Sequence, residues 1–225
     1  MTIEKFLIIV KIIMVLASVI VLLSFLYFKK RAIEIKLIGF NFLSPVVGYF
    51  SIDLLDLRGM QVNIPQNIEM LVHFVIITIM YYLALQKRYP KVFLTLLIVF
   101  SIFAIVNMLF LQKTYFNSYT VTISNVIAIA YCVAYFYRLL IDLPAQHLQR
   151  LPMFWFSAGF LMQAAGALFL YLFTAYLTKF FFDDVLIYWT FHNFLNIFLE
   201  ILILIGVVVD LRNTRPRRVA VMKNL

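Results

Sequence analysis

Residues 92–111 read VFLTLLIVFSIFAIVNMLFL, a run without a charged side chain that begins directly after Lys91 and ends shortly before Lys113. An α-helix rises 1.5 Å per residue, so roughly 20 residues cross the hydrocarbon core of a bilayer, which is about 30 Å thick. An uncharged apolar run of this length with a lysine beyond each end is typical of a membrane-spanning helix.

Six other segments have the same character. Together with residues 92–111 they predict seven spans, at about 6–28, 36–52, 68–86, 92–111, 119–140, 153–177 and 186–209. The composition agrees, because 65% of the residues are hydrophobic and 13% are charged, against roughly 45–50% and 25% in soluble domains. Backbone groups in lipid must form hydrogen bonds within the protein, which makes each span a helix. We therefore predict an all-α integral membrane protein, a bundle of seven transmembrane helices.

The first apolar run is too long for a signal-peptide core and lacks a small-residue cleavage site, so we expect it to remain as the first helix. The basic residues orient the bundle, because cytoplasmic loops are enriched in Lys and Arg. Fourteen of the 19 fall on one predicted side: Lys29, Lys30, Arg31, Lys36, Lys87, Arg88, Lys91, Arg138, Arg150, Arg212, Arg215, Arg217, Arg218 and Lys223. The N-terminus is therefore predicted outside and the C-terminus inside. The expected organisation is a transmembrane domain at 1–211 and a short basic cytoplasmic tail at 212–225.

The formal net charge of +9 does not indicate nucleic-acid binding, because the basic residues lie in loops and not on one amphipathic face. Their role in orienting the chain accounts for them. Cys132 is the single cysteine and lies inside an apolar run. It therefore forms no internal disulfide and belongs to no cysteine-based metal site. The lipid bilayer is the partner that this composition predicts.

Polar residues inside the spans indicate where function lies, because ionisable groups in lipid are costly and usually face the bundle interior. Lys11, His73 and His192 each lie about 8–10 Å below the predicted outer boundary. A polar layer at one depth is typical of an outward-opening ligand pocket. The predicted ligand-binding residues are Lys11, Glu69, His73, Asn107, Asn125, Tyr171, His192 and Asn193, and Asn196 and Glu200 continue the polar face of the seventh helix.

Each of these residues also has a structural interpretation. Lys11 can extend its long side chain to the headgroups, and Glu69 can lie at the membrane interface. His73 and His192 can form interhelical hydrogen bonds that only fix packing. Glu200 is the hardest to explain in this way, because it lies roughly 21 Å deep. Both interpretations stay open at the level of the sequence.

Several chemistries are disfavoured by the residues present. Span 186–209 contains no lysine for a retinal Schiff base, and no phosphate loop, zinc-protease motif or nucleophile elbow occurs. Glu69, His73 and His192 remain weak candidates for a metal site, and the two histidines for a haem, but they form no motif. A transporter built of parallel repeats should have helix breaks at matching positions in its repeats. Only the second span contains an internal proline, Pro45, so no matching break is present. No cofactor is predicted.

The sixth and seventh spans carry a resemblance. The sixth begins Leu151-Pro152-Met153-Phe154-Trp155-Phe156-Ser157-Ala158-Gly159, and the seventh contains Trp189-Thr190-Phe191-His192-Asn193-Phe194-Leu195-Asn196-Ile197. These stretches, about a quarter of the chain, resemble small seven-helix membrane modules of Bacteroidetes-type bacteria that are similar to sensor domains associated with histidine kinases. The resemblance implies a multi-pass protein of the bacterial inner (plasma) membrane. Since the sequence given ends soon after the seventh span, signalling would require a histidine kinase or another signalling protein in trans.

The function expected from these observations is that of a non-enzymatic, receptor-like membrane sensor that binds a small ligand in an outward-facing pocket. Two alternatives follow from the same residues. The first is a transporter or channel for a small solute, and the second is a metal-dependent membrane enzyme.

Overall fold

The computed structural model describes residues 9, 12–13, 15–16, 18–23, 31–43, 63–111, 118–142, 147–180 and 185–222. Nearly all of these residues are in helices or turns, and no strand occurs among them. The described residues between 9 and 23 belong to helix α1, and α2 covers 33–43. The later helices are α3 (Asn63–Ala84), α4 (Pro90–Val106), α5 (Ser118–Asp142), α6 (Pro152–Phe180) and α7 (Val185–Met222). A π-helical turn, Asn107–Leu111, continues α4, and a 3₁₀ turn, Leu148–Arg150, precedes α6.

Five helices are long and apolar enough to cross a membrane. Their apolar segments are Asn67–Ala84, Pro90–Leu111, Ser118–Asp142, Pro152–Tyr171 and Thr190–Asn213. These segments match the last five predicted spans, which confirms the all-helical, membrane-type architecture. The first two predicted spans are described only in part, and Pro45 lies outside the described residues.

Helix α7 is longer than its predicted span. It runs for 38 residues to Met222, whereas the hydropathy of the sequence ends the span at 209 and assigns 212–225 to a tail. The difference arises because hydropathy marks where apolar residues stop, while a helix can continue into the aqueous phase. Most of the predicted basic tail is thus a continuation of α7.

Apolar side chains cover the outside of the bundle as well as its interior. Leu94, Ile102, Phe169 and Phe194 are each about three-fifths exposed, although such residues are usually buried in a soluble protein. Lipid provides an apolar solvent for these surfaces. The exposed apolar residues therefore agree with a bilayer environment.

A tightly packed core fills the half of the bundle where α3 and α5 end and α6 begins, which we call the packed half. Tyr81, Phe156 and Ile203 are fully buried in it. Tyr81 donates a hydrogen bond to Ser157 Oγ at 3.1 Å, and its hydroxyl lies 3.1 Å from Cys132 Sγ. Cys132 is a buried free thiol, as its position in an apolar run predicts.

Small residues bring α6 and α7 close together. A Cβ atom on Gly159 or Gly166 would lie 3.0 Å or less from the side chain of Leu199 or Leu195 on α7. Close helix approach at these glycines is thus confirmed. Gly206 of α7 makes an equally close contact with Phe156, which the spacing of glycines in α6 could not indicate.

A buried ion pair joins α7 to the segment that precedes α2. Arg31 Nε lies 3.1 Å from Asp210 Oδ2, and the Arg31 side chain is 1% exposed. Burial lowers the pKa of the Arg31 guanidinium, and the Asp210 carboxylate opposes that shift. The sequence interpretation of Arg31 as a loop residue that only orients the chain is therefore incomplete.

Candidate ligand-binding cavity

A cavity of ≈ 320 Å³ lies between the helices in the other half of the bundle. Residues of α1, α2, α3, α5, α6 and α7 line it, and no described residue of α4 does. Its apolar walls include Phe74, Ile77, Phe160 and Leu199, and polar side chains occupy the remainder. The polar lining residues are Ser18, Asn41, Glu69, His73, Ser124, Asn125, Tyr131, Gln163, Tyr171, His192, Asn196 and Glu200.

Polar residues on α6 and α7 form a connected group at one wall. Asn196 Nδ2 donates a hydrogen bond to His192 Nε2 at 3.1 Å, four residues earlier on the same face of α7. Gln163 Nε2 of α6 donates to Asn196 Oδ1 at 3.4 Å. The Tyr171 ring meets the His192 ring edge-on, with centroids 5.7 Å apart. These contacts position His192 against the cavity.

Glu200 lies deeper along α7 and connects it to α1. Ser18 Oγ donates a hydrogen bond to Glu200 Oε1 at 3.2 Å, and both residues are buried. A carboxyl group at this depth needs a polar partner, because an isolated one in an apolar environment is costly. Ser18 supplies that partner and ties α1 to the cavity wall.

Two buried asparagines belong to the cavity lining. Asn41 of α2 is 4% exposed and Asn125 of α5 is 9% exposed. Asn41 Oδ1 and Asn125 Nδ2 have no hydrogen-bond partner among the described residues. A buried polar atom left unpaired costs about 1–3 kcal/mol. Both atoms are inaccessible to water as the side chains lie, so a molecule in the cavity would reach them only if those side chains rotated.

Most of the predicted site residues meet at this cavity. Glu69, His73, Asn125, Tyr171, His192, Asn196 and Glu200 all line it. Asn107 does not, because it is on α4's continuation and donates from Nδ2 to Thr120 Oγ1 at 2.7 Å. Asn193 is on α7 but does not belong to the cavity lining either. Lys11 lies outside the described residues.

Sequence reasoning missed three polar lining residues, Ser18, Tyr131 and Gln163. All three are uncharged, and uncharged polar groups inside a span are common enough to carry little signal. Asn41 of α2, which is not among the site residues predicted from the sequence, lines the same cavity. Depth counted along a single helix does not reveal which neighbour a side chain faces.

The metal alternative lacks a suitable cluster. Within the part of the chain that the structure describes, no three His, Cys, Asp or Glu side chains are grouped closely enough to hold a metal ion. Glu69, His73 and His192 share the cavity without forming such a group. The cavity is therefore suited to hydrogen bonding and apolar contact.

No family model, no curated protein and no solved structure matches this chain.

Proposed function

We propose that this chain is a receptor-like membrane sensor that binds a small molecule in the cavity and signals through a separate protein. With the proposed seven spans and an N-terminus outside, the cavity would lie in the outer half of the bilayer. The observation that carries the proposal is the convergence of polar side chains from different helices, among them His73, Gln163 and His192, on one cavity with apolar walls. An enclosed site with a few convergent polar groups and apolar walls is the usual form of a small-molecule site.

The lining favours a small amphipathic ligand. Phe74, Ile77 and Phe160 offer apolar contact on one part of the wall, while Gln163 and Asn196 contribute polar side chains to another. The mixture of donors and acceptors suits a ligand group that both donates and accepts hydrogen bonds, such as an amide or a hydroxyl.

The response to the ligand would involve α6 and α7. His192 and Asn196 of α7 and Gln163 of α6 border the cavity, so a ligand that contacts them differently in two helix arrangements shifts the population toward one of them. Helix α7 continues to Met222, well beyond the cavity. A change in the packing of α6 and α7 would therefore be felt where a cytoplasmic partner could read it.

The packed half favours a receptor over an open channel. A channel needs a continuous polar path through the protein. The packed half instead contains fully buried side chains such as Tyr81, Phe156 and Ile203. Loading proteoliposomes with a candidate ligand and measuring its flux separates the two functions. A receptor is expected to bind the ligand without moving it.

The test compares two asparagines of α7 that differ in their relation to the cavity. The protein is purified without added ligand, and mass spectrometry identifies small molecules that remain bound. Asn196→Leu removes a polar lining group and is expected to lower the retained amount at least about tenfold, which corresponds to 1.4 kcal/mol. Asn193→Leu makes the same chemical change outside the lining and is expected to leave retention unchanged.

Equal retention in both variants would contradict the proposed site, because the cavity would then play no part in binding. A molecule that is retained by both and also moves across proteoliposomes would favour the transporter alternative. Circular dichroism and gel filtration of each variant confirm that the bundle remains folded.

A further inference from the structure

A second concave site lies between α3 and α4, separate from the cavity described above. It is a groove of ≈ 300 Å³ lined by Thr78, Ile79 and Tyr82 of α3 and by Pro90, Phe93, Leu94 and Leu97 of α4. Apart from the Thr78 and Tyr82 hydroxyl groups, its lining side chains are apolar. The four α4 residues extend along about 10 Å of helix, and Leu94 is largely exposed.

The walls of the groove are held in place by contacts on the side facing the bundle. The Phe93 ring stacks on Tyr131 of α5 with centroids 5.1 Å apart, and it meets the Tyr82 ring at 5.5 Å. Thr78 Oγ1 donates to the backbone oxygen of Phe74, so its polar atom is already satisfied. The groove is thus a formed apolar surface that needs no rearrangement to accept an apolar chain.

Three basic residues stand at one end of the groove. Lys87 and Arg88 belong to the turn after α3, Lys91 is in the first turn of α4, and all three are exposed. No Asp or Glu occurs between Ala84 and Lys91. The turn is tight, with Gln86 and Tyr89 both in the left-handed region, so the charges lie directly beside Pro90, where the groove begins.

We propose that this groove binds an acyl chain of an anionic phospholipid whose headgroup phosphate lies against Lys87, Arg88 and Lys91. The apolar walls match a hydrocarbon chain, and the positive charge of Lys87, Arg88 and Lys91 at one end matches a phosphate or an acidic headgroup. Arginine and lysine near a membrane surface each attract anionic lipid. The combination of a groove and a charged end distinguishes this surface from ordinary lipid-facing helix.

The test measures lipid retained by the purified full-length protein with native mass spectrometry. The probes are phosphatidylglycerol and phosphatidylcholine with identical acyl chains, supplied in equal amounts in mixed micelles. The wild type is expected to retain phosphatidylglycerol in preference to phosphatidylcholine. The triple variant Lys87→Gln/Arg88→Gln/Lys91→Gln is expected to lose about tenfold or more of that preference.

A matched triple variant controls for net charge. Lys36, Arg150 and Arg212 are also exposed and lie at the same end of the bundle, and their replacement by Gln is expected to leave the preference intact. If the two triple variants behave alike, the headgroup is held by general surface charge and the proposed position is wrong.

The groove itself is tested with a bulky side chain. Leu94→Trp fills the groove and is expected to lower retention of both lipids, while Val99→Trp places the same ring elsewhere on α4. Leu94 and Val99 are each 58% exposed, so neither change disturbs the core. Equal retention in these two variants, or a protein mass showing a second copy of the chain on this surface with no lipid, would overturn the proposal.

Discussion

Replacement of Gly206 by Ala should destabilise the contact between α6 and α7. The new Cβ atom would overlap Phe156 Cε1, lie 2.7 Å from Phe156 Cδ1 and lie 3.1 Å from the backbone oxygen of Pro152, whereas carbon atoms normally pack 3.5–4.0 Å apart. Phe156 is fully buried, so its ring cannot move out into the surroundings of the bundle. Relieving the overlap therefore requires α6 and α7 to separate or the core to repack.

The magnitude follows from two opposing terms. Overpacking a filled core costs about 1–3 kcal/mol, and Ala stabilises a helix relative to Gly by up to about 1 kcal/mol. With the full helix gain, the free energy of unfolding falls by about 0–2 kcal/mol, and because the overlapped ring is fully buried we expect the upper part of that range. Titration of the purified protein with sodium dodecyl sulfate, followed by circular dichroism, measures this change.

Gly166→Ala is the matched control on the same interface. Its Cβ atom would lie 2.5 and 2.8 Å from the two terminal carbons of Leu195, but that side chain is only half-buried and can change rotamer. The two terms should then nearly cancel, so the free energy of unfolding should change by less than about 0.5 kcal/mol. A Gly166→Ala variant as unstable as Gly206→Ala would refute the reasoning. The loss of stability would then not depend on whether the overlapped side chain is the half-buried Leu195 or the fully buried Phe156.

Two further outcomes are expected. Arg31→Met should lower the free energy of unfolding by about 2–3 kcal/mol, because the Asp210 carboxylate loses its ion pair. The double variant Arg31→Met/Asp210→Leu should recover most of that loss. A double variant no more stable than the single one would show that the ion pair is not the cause. Asn107→Ala should lower the free energy of unfolding by about 1–2 kcal/mol, because the hydrogen bond to Thr120 is lost. The amount of small molecule retained by the protein should stay unchanged, since Asn107 lies outside the cavity lining. Mass spectrometry of the purified variant checks this.

Hydropathy located most of this fold because a bilayer imposes a simple length requirement on each span. The run at 92–111, for example, appears as the apolar helix segment Pro90–Leu111. The same signal could not set the end of α7, which continues to Met222 through residues that are not apolar. Membrane thickness sets the length of the apolar segment, but it does not set the total length of the helix that contains it.

Part of the cavity lining could be predicted from ionisable residues that are energetically unfavourable inside a membrane span. Glu69, His73 and His192 attract attention because each is unfavourable in lipid, and all three line the cavity. Asn107 does not line the cavity and bonds to Thr120 instead, because depth in a helix leaves the direction of the side chain undetermined. Ser18 carried no signal of its own, since its importance comes from contact with Glu200, 182 residues later in the chain.

Helix α7 contributes both to the cavity wall and to the contacts that restrain its own motion. His192 borders the cavity, Gly206 packs against Phe156 of α6, and Asp210 pairs with Arg31 farther along the helix. A helix held this closely at Gly206 has little room to bend toward α6 there, so a displacement that begins at the cavity should move α7 as a rigid body. If the protein signals as proposed, the contact between Arg31 and Asp210 would have to rearrange for that motion to reach the end of α7, and the ion pair would then stabilise the unbound arrangement.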